Sequence, residues 1–563
     1  MHKAPAIIVL GAGSLATAQR IQQQYPQAMI HGLAGRVEQA DRLYEAFGDT
    51  LRALYQQDTP IIALCAAGIV IRSLAGLLSE KGAEPPVLAV AEDGSAVVPL
   101  LGGLSGVNVM AREIGAALGV AAAITTSGEL RFGTCLLNPP EGYALADIEQ
   151  GKRFVSDLLA GEALRIEGDA PWLAQAQLPA SESAQHTIHV SCEARPARRD
   201  ELLIHPRSVV VALDDCGPGL VERIRDALSA AGIAEASLAG LLVAEQAMAE
   251  PSLQDAALAL AVELRFAVKD STLVGMAADA LPDARLIEHS GLVIAVAATP
   301  VDVAQLGRKR GRLAVIGLGP GAAELMVPAV KAELARAQDI LGYETYVRMA
   351  GPFRDDQVQH CTDNREEMQR ARHAFELAAQ GRSVVVVSSG DPGVFAMASA
   401  VLEALHGSTD PAWHRVDLEI LPGVSASLAT AAQAGAPLGH DFCVMSLSDN
   451  LKPWATIEQR LDLAAQADLV LAFYNPISRS RPWQLGRALE IVRQHRVGAT
   501  PVVLGRDIGR PGQTLNVVTL GELTAEMVDM RTMVLIGSST TRTFARAEGG
   551  QWVYTPRWYP VAP

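Results

Sequence analysis

Short aliphatic runs alternate with Ala-rich amphipathic stretches along the whole chain. Such runs occupy residues 6–10, 61–64, 209–213, 292–297, 313–318, 384–388 and 469–473. Each is too short for a helix of its own and too apolar to leave one face in water. A strand apolar on both faces needs helices above and below it, so the pattern predicts α/β units with mainly parallel sheets. At 563 residues the chain exceeds what one core can bury, and several domains are expected. Two stretches break the rhythm. Residues 138–206 are polar and carry Pro139, Pro140, Pro171, Pro179, Pro196 and Pro206, which fits a small connecting domain or a loosely packed insert. The run Arg308-Lys309-Arg310-Gly311-Arg312 stands just before a fresh strand and reads as a linker with solvated charges.

The formal net charge is −15, which argues against a nucleic-acid surface, since that requires a basic field. A polyanionic ligand would therefore have to meet a locally basic pocket. The six cysteines are scattered, with no close metal-ligand spacing, so reduced thiols, no metal site and a cytoplasmic location are expected. No apolar run is long enough to span a bilayer, and no membrane or nucleic-acid partner is expected.

Beyond residue 313 the strand ends carry the chemistry. Residues 313–318 run into Gly319-Pro320-Gly321, which is no dinucleotide fingerprint because Pro320 interrupts it. Later strands end in Ser389-Gly390-Asp391-Pro392-Gly393-Val394-Phe395, in Pro422-Gly423-Val424-Ser425-Ala426-Ser427, in Tyr474-Asn475-Pro476 and in Gly505-Arg506-Asp507. A final strand, with Thr532 and Met533 at its start, ends in Gly537-Ser538-Ser539-Thr540. Ligands in parallel α/β sheets bind beyond the carboxyl ends of strands, and packing alone does not call for so many Gly and polar clusters there.

The segments GLGPG, SSGDPGVFAMA, LPGVSAS, PLGHDFCVMSLSD, YNPISRSR and MVLIGSSTT resemble the precorrin-3B C17-methyltransferases of the tetrapyrrole methylase superfamily, over residues 313–545. The resemblance implies two α/β subdomains, a homodimer and S-adenosylmethionine as cofactor. It also implies methylation of a precorrin with contraction of its ring, a step of cobalamin biosynthesis. By motif match, Gly390, Asp391, Pro392, Val394, Phe395, Val424, Ser425, Tyr474, Asn475, Arg506, Thr532 and Met533 would bind the cofactor, and Gly319, Pro320 and Gly321 would face the tetrapyrrole. Ring contraction needs proton transfer, for which His440 and Asp441 are candidates, with a hydrogen-bonded loop histidine as the other reading. Substrate carboxylates call for cations, and Arg479 and Arg481, then Arg365 and Lys452, are the candidates, each equally readable as a surface charge.

The N-terminal half resembles the cobalt-precorrin-5A hydrolases, on Leu64-Cys-Ala-Ala-Gly68, Ala89-Val-Ala-Glu92-Asp93-Gly94, Gly106-Val-Asn108, Ile124-Thr125-Thr126 and Ile204-His-Pro-Arg207. That family opens a lactone. It usually has Gly-His where this chain has Gly103-Leu104, and a Lys near Ala244-Glu245-Gln246 where none is present, which implies a degenerate hydrolase. Glu92, Asp93 and Glu129 are the carboxylates left for a residual hydrolase, the rival view, though solvated loop acids is the favoured reading of each. Leu10-Gly-Ala-Gly13 reads as a strand-to-helix turn, because no acid ends a second strand near His31.

The expected organisation is multidomain α/β. It comprises a hydrolase-like domain 1–137, a connecting region 138–205, a second hydrolase-like module 206–307, and methylase subdomains 313–424 and 425–563. Two alternatives stand beside the metal-free methyltransferase. One is a bifunctional enzyme acting on cobalt-factor III and hydrolysing the later lactone. The other is a tetrapyrrole carrier without catalysis.

Overall fold

The aliphatic runs are strands covered on both faces: Ile7, Ile8 and Val9 are fully buried, as are Val385 and Val386. The computed structural model describes residues 3–37, 39–78, 84–214, 216–267, 272–363 and 366–559. It divides into two units, Met1–Arg310 and Gly311–Pro563. No helix among the described residues is long and apolar enough to cross a membrane.

Among the described residues the first unit holds three sheets. A six-stranded sheet runs in the order Arg42–Tyr44, Met29–Leu33, Ala6–Val9, Ile61–Leu64, Val87–Val90, Val97–Leu101, parallel except at the last strand. Residues 11–14 turn the chain from the strand Ala6–Val9 into the helix Leu15–Gln24. The polar, Pro-rich stretch is a folded layer and not a loose insert. Its strands, in the order Tyr143–Leu145, Glu201–Pro206, His186–Val190, Leu164–Glu167, close over a core with Phe132, Phe154, Leu158 and Leu202. Pro171 opens a short helix and Pro206 ends a strand, positions where a missing N–H costs little. The third sheet, of five strands, is built on Val209–Leu213.

Two charge readings are corrected. Glu129 is buried on the helix Ser127–Phe132, where Asn108 Nδ2 donates to it at 2.6 Å and Arg112 pairs with it. The basic run is ion-paired: Arg308 with Glu245, Lys309 with Glu263, and Arg312 with Glu333, Asp417 and Glu419. Half-buried arginines next to strand starts are cheaper to pair than to hydrate.

In the second unit, β1 (Arg312–Gly317), β2 (Asp339–Tyr343), β3 (Val358–Thr362), β4 (Ser383–Ser388) and β5 (Asp417–Leu421) form an all-parallel sheet in the order β3-β2-β4-β1-β5. A second sheet contains β6 (Phe442–Ser446), β7 (Val470–Tyr474), β8 (Pro501–Arg506), β9 (Thr514–Thr519) and β10 (Thr532–Ile536), ordered β6-β7-β10-β8-β9. It is mixed, which departs from the parallel expectation. β6 and β7 are parallel, but β10 runs antiparallel to both β7 and β8, and β9 antiparallel to β8. Phe473 lies opposite Val534 and Arg506 opposite Thr532. The carboxyl ends of β7 and β8 therefore meet the start of β10, and Gly537–Thr540 falls at the far edge.

Glu201 fixes the Pro-rich layer. Its buried carboxylate accepts both ends of the Arg195 guanidinium, at 2.8 and 2.6 Å, and the Arg198 amide at 3.0 Å. The Arg195 hydrogen bonds lower its pKa to about 2. A depressed carboxylate stabilises the fold above its unfolded pKa and loses that contribution as the pH falls from there through the folded value. Glu201→Gln is expected to lower the hydrogen-exchange protection of the strands Glu201–Pro206 and His186–Val190 at pH 7, by up to about 3 kcal/mol. The difference from wild type should shrink as both are measured toward pH 3.

Candidate functional site

Three backbone loops meet where β1, β4 and β5 end. A Cβ on Gly317 would stand 2.4 Å from the Gly390 carbonyl oxygen and 2.9 Å from the Gly423 nitrogen; one on Gly423 would stand 2.2 Å from the same carbonyl oxygen. Only glycine allows this approach. The Gly390 amide donates to the Gly319 carbonyl at 2.7 Å, and the Gly319 amide donates back at 3.1 Å. Asp391 joins the loops: Oδ1 accepts from the Gly393 amide at 2.8 Å and Oδ2 from the Gly423 amide at 3.1 Å. Both carboxylate oxygens thus serve the backbone.

Phe395 projects from this junction. It has φ 54°, a left-handed conformation unusual for an aromatic residue, and is 52% exposed. Its ring centroid lies 5.4 Å from that of Tyr474 at the end of β7. The Tyr474 hydroxyl accepts from the Ser427 amide and donates to Ser427 Oγ, each at 3.1 Å, tying the LPGVSAS loop to the second sheet. Ser425 caps the helix Ala426–Ala434, accepting from the Leu428 amide. Asn475 (φ 50°) donates to Ser446 Oγ at 3.1 Å, and Asp507 (φ 50°) follows Arg506. Phe395, Asn475 and Asp507 all have positive φ in this cleft, and of the three the aromatic Phe395 is the least accustomed to it.

Gly390, Asp391, Pro392, Val394, Phe395, Val424, Ser425, Tyr474, Asn475, Arg506, Thr532 and Met533 are thus brought to the facing edges of the two sheets, with Gly319, Pro320 and Gly321 beside them. Within this group the surroundings differ. Arg506 is tied to Asp529 and Asp507, and the Asp529 carboxylate raises its pKa. Thr532 and Met533 are buried, and Thr532 Oγ1 donates to Asp529 at 2.8 Å. Lys452 stands 5.9 Å over the Phe395 ring, its pKa lowered by burial and by Arg460. It lines an apolar cavity of about 490 Å³ with Phe395, Cys443, Met445 and Ile457. Arg481 is 8% exposed, and its Nη1 is buried without a partner; Arg479 is exposed. Arg365 lies outside the described residues.

His440 and Asp441 are not brought to the cleft. They precede β6, and the Asp441 carbonyl accepts from the Val470 amide at the start of β7. Tyr474 is at the other end of that strand, roughly 13 Å away at the ordinary strand rise. His440 Nδ1 accepts from the Asp441 amide and its ring faces Tyr559, the environment of a hydrogen-bonded loop histidine. Gly537–Thr540 shares that far edge, where the Ser539 amide donates to Asp468 at 2.9 Å. The sequence reading missed Arg510, which donates to the Pro320 carbonyl at 3.0 Å and to Ser389 Oγ at 3.1 Å. Its signal was a second arginine between Gly509 and Gly512 in a strand-end loop.

Residues 312–524 match the family of tetrapyrrole (corrin/porphyrin) methylases, and residues 49–129 match the cobalamin synthesis G N-terminal family. A precorrin-3B C(17)-methyltransferase from Sinorhizobium sp is 52% identical over 253 residues, which cover 45% of this chain and 98% of that protein. The cobalamin biosynthesis protein CobIJ of Mycobacterium tuberculosis is 47% identical over 264 residues, 46% of this chain and 51% of that protein. The crystal structure of the methyltransferase CobJ aligns at 53% identity over 44% of this chain and 100% of that one, with a TM-score of 0.41.

The glycine junction gives a direct test. Gly423→Ala forces a methyl group into two carbonyl oxygens and is expected to destabilise the second unit by about 2–3 kcal/mol. Gly486→Ala, in the helix Gln484–Arg493 with open space around it, should stabilise by about 0.5–1 kcal/mol. Thermal unfolding of the two variants reads both signs.

Proposed function

Because this chain belongs to the tetrapyrrole methylases, we propose that its C-terminal half transfers a methyl group from S-adenosylmethionine to C17 of precorrin-3B, contracting the ring to give precorrin-4. The observation that carries the proposal is the cleft itself: residues from motifs spread over some 150 positions, from Gly390 to Met533, converge on the facing edges of two sheets.

The cleft suits this cofactor. The glycines Gly317, Gly390 and Gly423 pack the three strand-end loops backbone against backbone, which fixes the turn from which Phe395 projects. The rings of Phe395 and Tyr474 offer π faces to a cation such as a sulfonium. When bound, the cofactor supplies an already activated methyl group, so the chain's task is placement and exclusion of water. Phe395, held in its strained conformation, and Tyr474, held by Ser427, form a rigid wall for that purpose. Arg481, a buried cation with an unpartnered Nη1, is assigned to a substrate carboxylate.

The N-terminal half is proposed to be a degenerate hydrolase that holds or hands on the macrocycle. Leu104 is exposed where the related family has histidine, and Glu129 is committed to Asn108 and Arg112, which leaves it poorly placed to activate water. A homodimer in the cytoplasm completes the proposal.

Incubating the full chain with S-adenosylmethionine and metal-free precorrin-3B should yield a ring-contracted, singly methylated product, read by mass and absorbance. Turnover of the cobalt counterpart alone would reassign the substrate, and a chain that fails to bind S-adenosylmethionine would be a carrier. His440→Ala should keep activity within about twofold, because the residue lies at the far edge. Arg481→Ala should raise KM for the tetrapyrrole about tenfold.

A further inference from the structure

The loop after β8 places Arg510 across the cleft, against the carboxyl ends of β1 and β4. Its Nε donates to the Pro320 carbonyl and its Nη2 to Ser389 Oγ. Both acceptors are neutral. Among the described residues no carboxylate lies within ion-pair distance of it, whereas Arg506 and Arg531 in the same region share Asp507 and Asp529. A guanidinium stays charged at any physiological pH and carries five N–H groups, of which two are used here.

The space around it is built. A Cβ on Gly321 would stand 2.6 Å from Arg510 Cγ, and one on Gly509 would stand 2.9 Å from Pro320 Cγ; both glycines have positive φ, 138° and 80°. Two glycines therefore clear the path along which the side chain reaches the opposite subdomain. The Tyr346 phenol is close enough for the Arg510 charge to act on it, against the effect of burial. This half-buried cation is balanced by no acid among the described residues, in a chain of net charge −15, and it stands at the cleft with N–H groups to spare.

We infer that Arg510 is a specificity-determining residue: its free Nη1 edge receives a peripheral carboxylate of the macrocycle, while Nε and Nη2 hold the two subdomain loops together. This rests on the tetrapyrrole methyltransferase reading. It adds a cation from the β8 loop to the one assigned at Arg481, so that carboxylates of the macrocycle are read from two loops of the second subdomain.

Three variants of the full chain separate charge from clip. Arg510→Gln keeps an N–H donor for the Pro320 carbonyl and removes the charge; Arg510→Lys keeps the charge; Arg510→Ala removes both. The readouts are KM and kcat for precorrin-3B, the Kd of S-adenosylhomocysteine, and the thermal midpoint. Expected are KM values raised about tenfold or more in Arg510→Gln and Arg510→Ala, a rise of no more than about threefold in Arg510→Lys, and S-adenosylhomocysteine affinity within about twofold throughout. An Arg510→Gln enzyme with wild-type KM overturns the inference, as does a loss of S-adenosylhomocysteine affinity that matches the loss in KM. If Arg510→Gln does not fold, Arg510→Lys decides: a KM as high as that of Arg510→Ala overturns the inference. A wild-type chain that binds S-adenosylhomocysteine yet methylates no tetrapyrrole sinks the underlying reading instead, and the variants are then not needed.

Discussion

The cleft of the second unit depends on a backbone contact. Gly317, Gly390 and Gly423 let three strand-end loops approach until carbonyl oxygens sit where side chains would otherwise be. Paired amide hydrogen bonds between Gly319 and Gly390, and the two acceptor oxygens of Asp391, hold the loops in that arrangement. Phe395 emerges from it strained and exposed, and Tyr474 meets it from the other sheet. Loosening the junction would relax the left-handed turn at Phe395, and the aromatic wall would go with it. Asp391 looks like chemistry in the sequence, but its carboxylate does structural work.

Electrostatics divides the molecule in a way that the net charge of −15 conceals. Several arginines are consumed locally: Arg312 by three acids at the start of the first sheet, Arg195 by Glu201, and Arg506 by Asp529. Arg481 and Arg510, both on loops beyond strand ends of the second sheet, have no carboxylate partner among the described residues. Buried arginines such as Arg265 and Arg370 also have no ion pair among the described residues but are met by neutral acceptors, largely backbone carbonyls, whereas Arg481 Nη1 is buried with no partner among the described residues.

The N-terminal half shows the opposite economy. Glu129, Asn108, Arg112 and Thr126 form a hydrogen-bonded set in which the buried carboxylate accepts from Asn108 and pairs with Arg112. The proline-rich sheet of this half closes over its own core, which includes Phe132 and Phe154.

What the sequence determined by itself is local: which runs become buried strands, where glycines permit sharp turns, and which motifs end strands. The α/β class followed from residues 6–10, 384–388 and their like, and the motif residues from Gly390 to Tyr474 could be named in advance. The ion pairs of Arg308 and Arg312 and the burial of Glu129 could not, because their partners lie far along the chain. Strand direction was decided only by the tertiary structure. A strand reads the same whether it pairs parallel or antiparallel, since its apolar pattern has no polarity. The reversal of β10 therefore carried Gly537–Thr540 to the far edge, and the parallel start of β6 and β7 left His440 and Asp441 there as well. The same long-range pairing brought Arg510, whose own segment gives no hint of a partner, against Pro320 and Ser389 across the cleft.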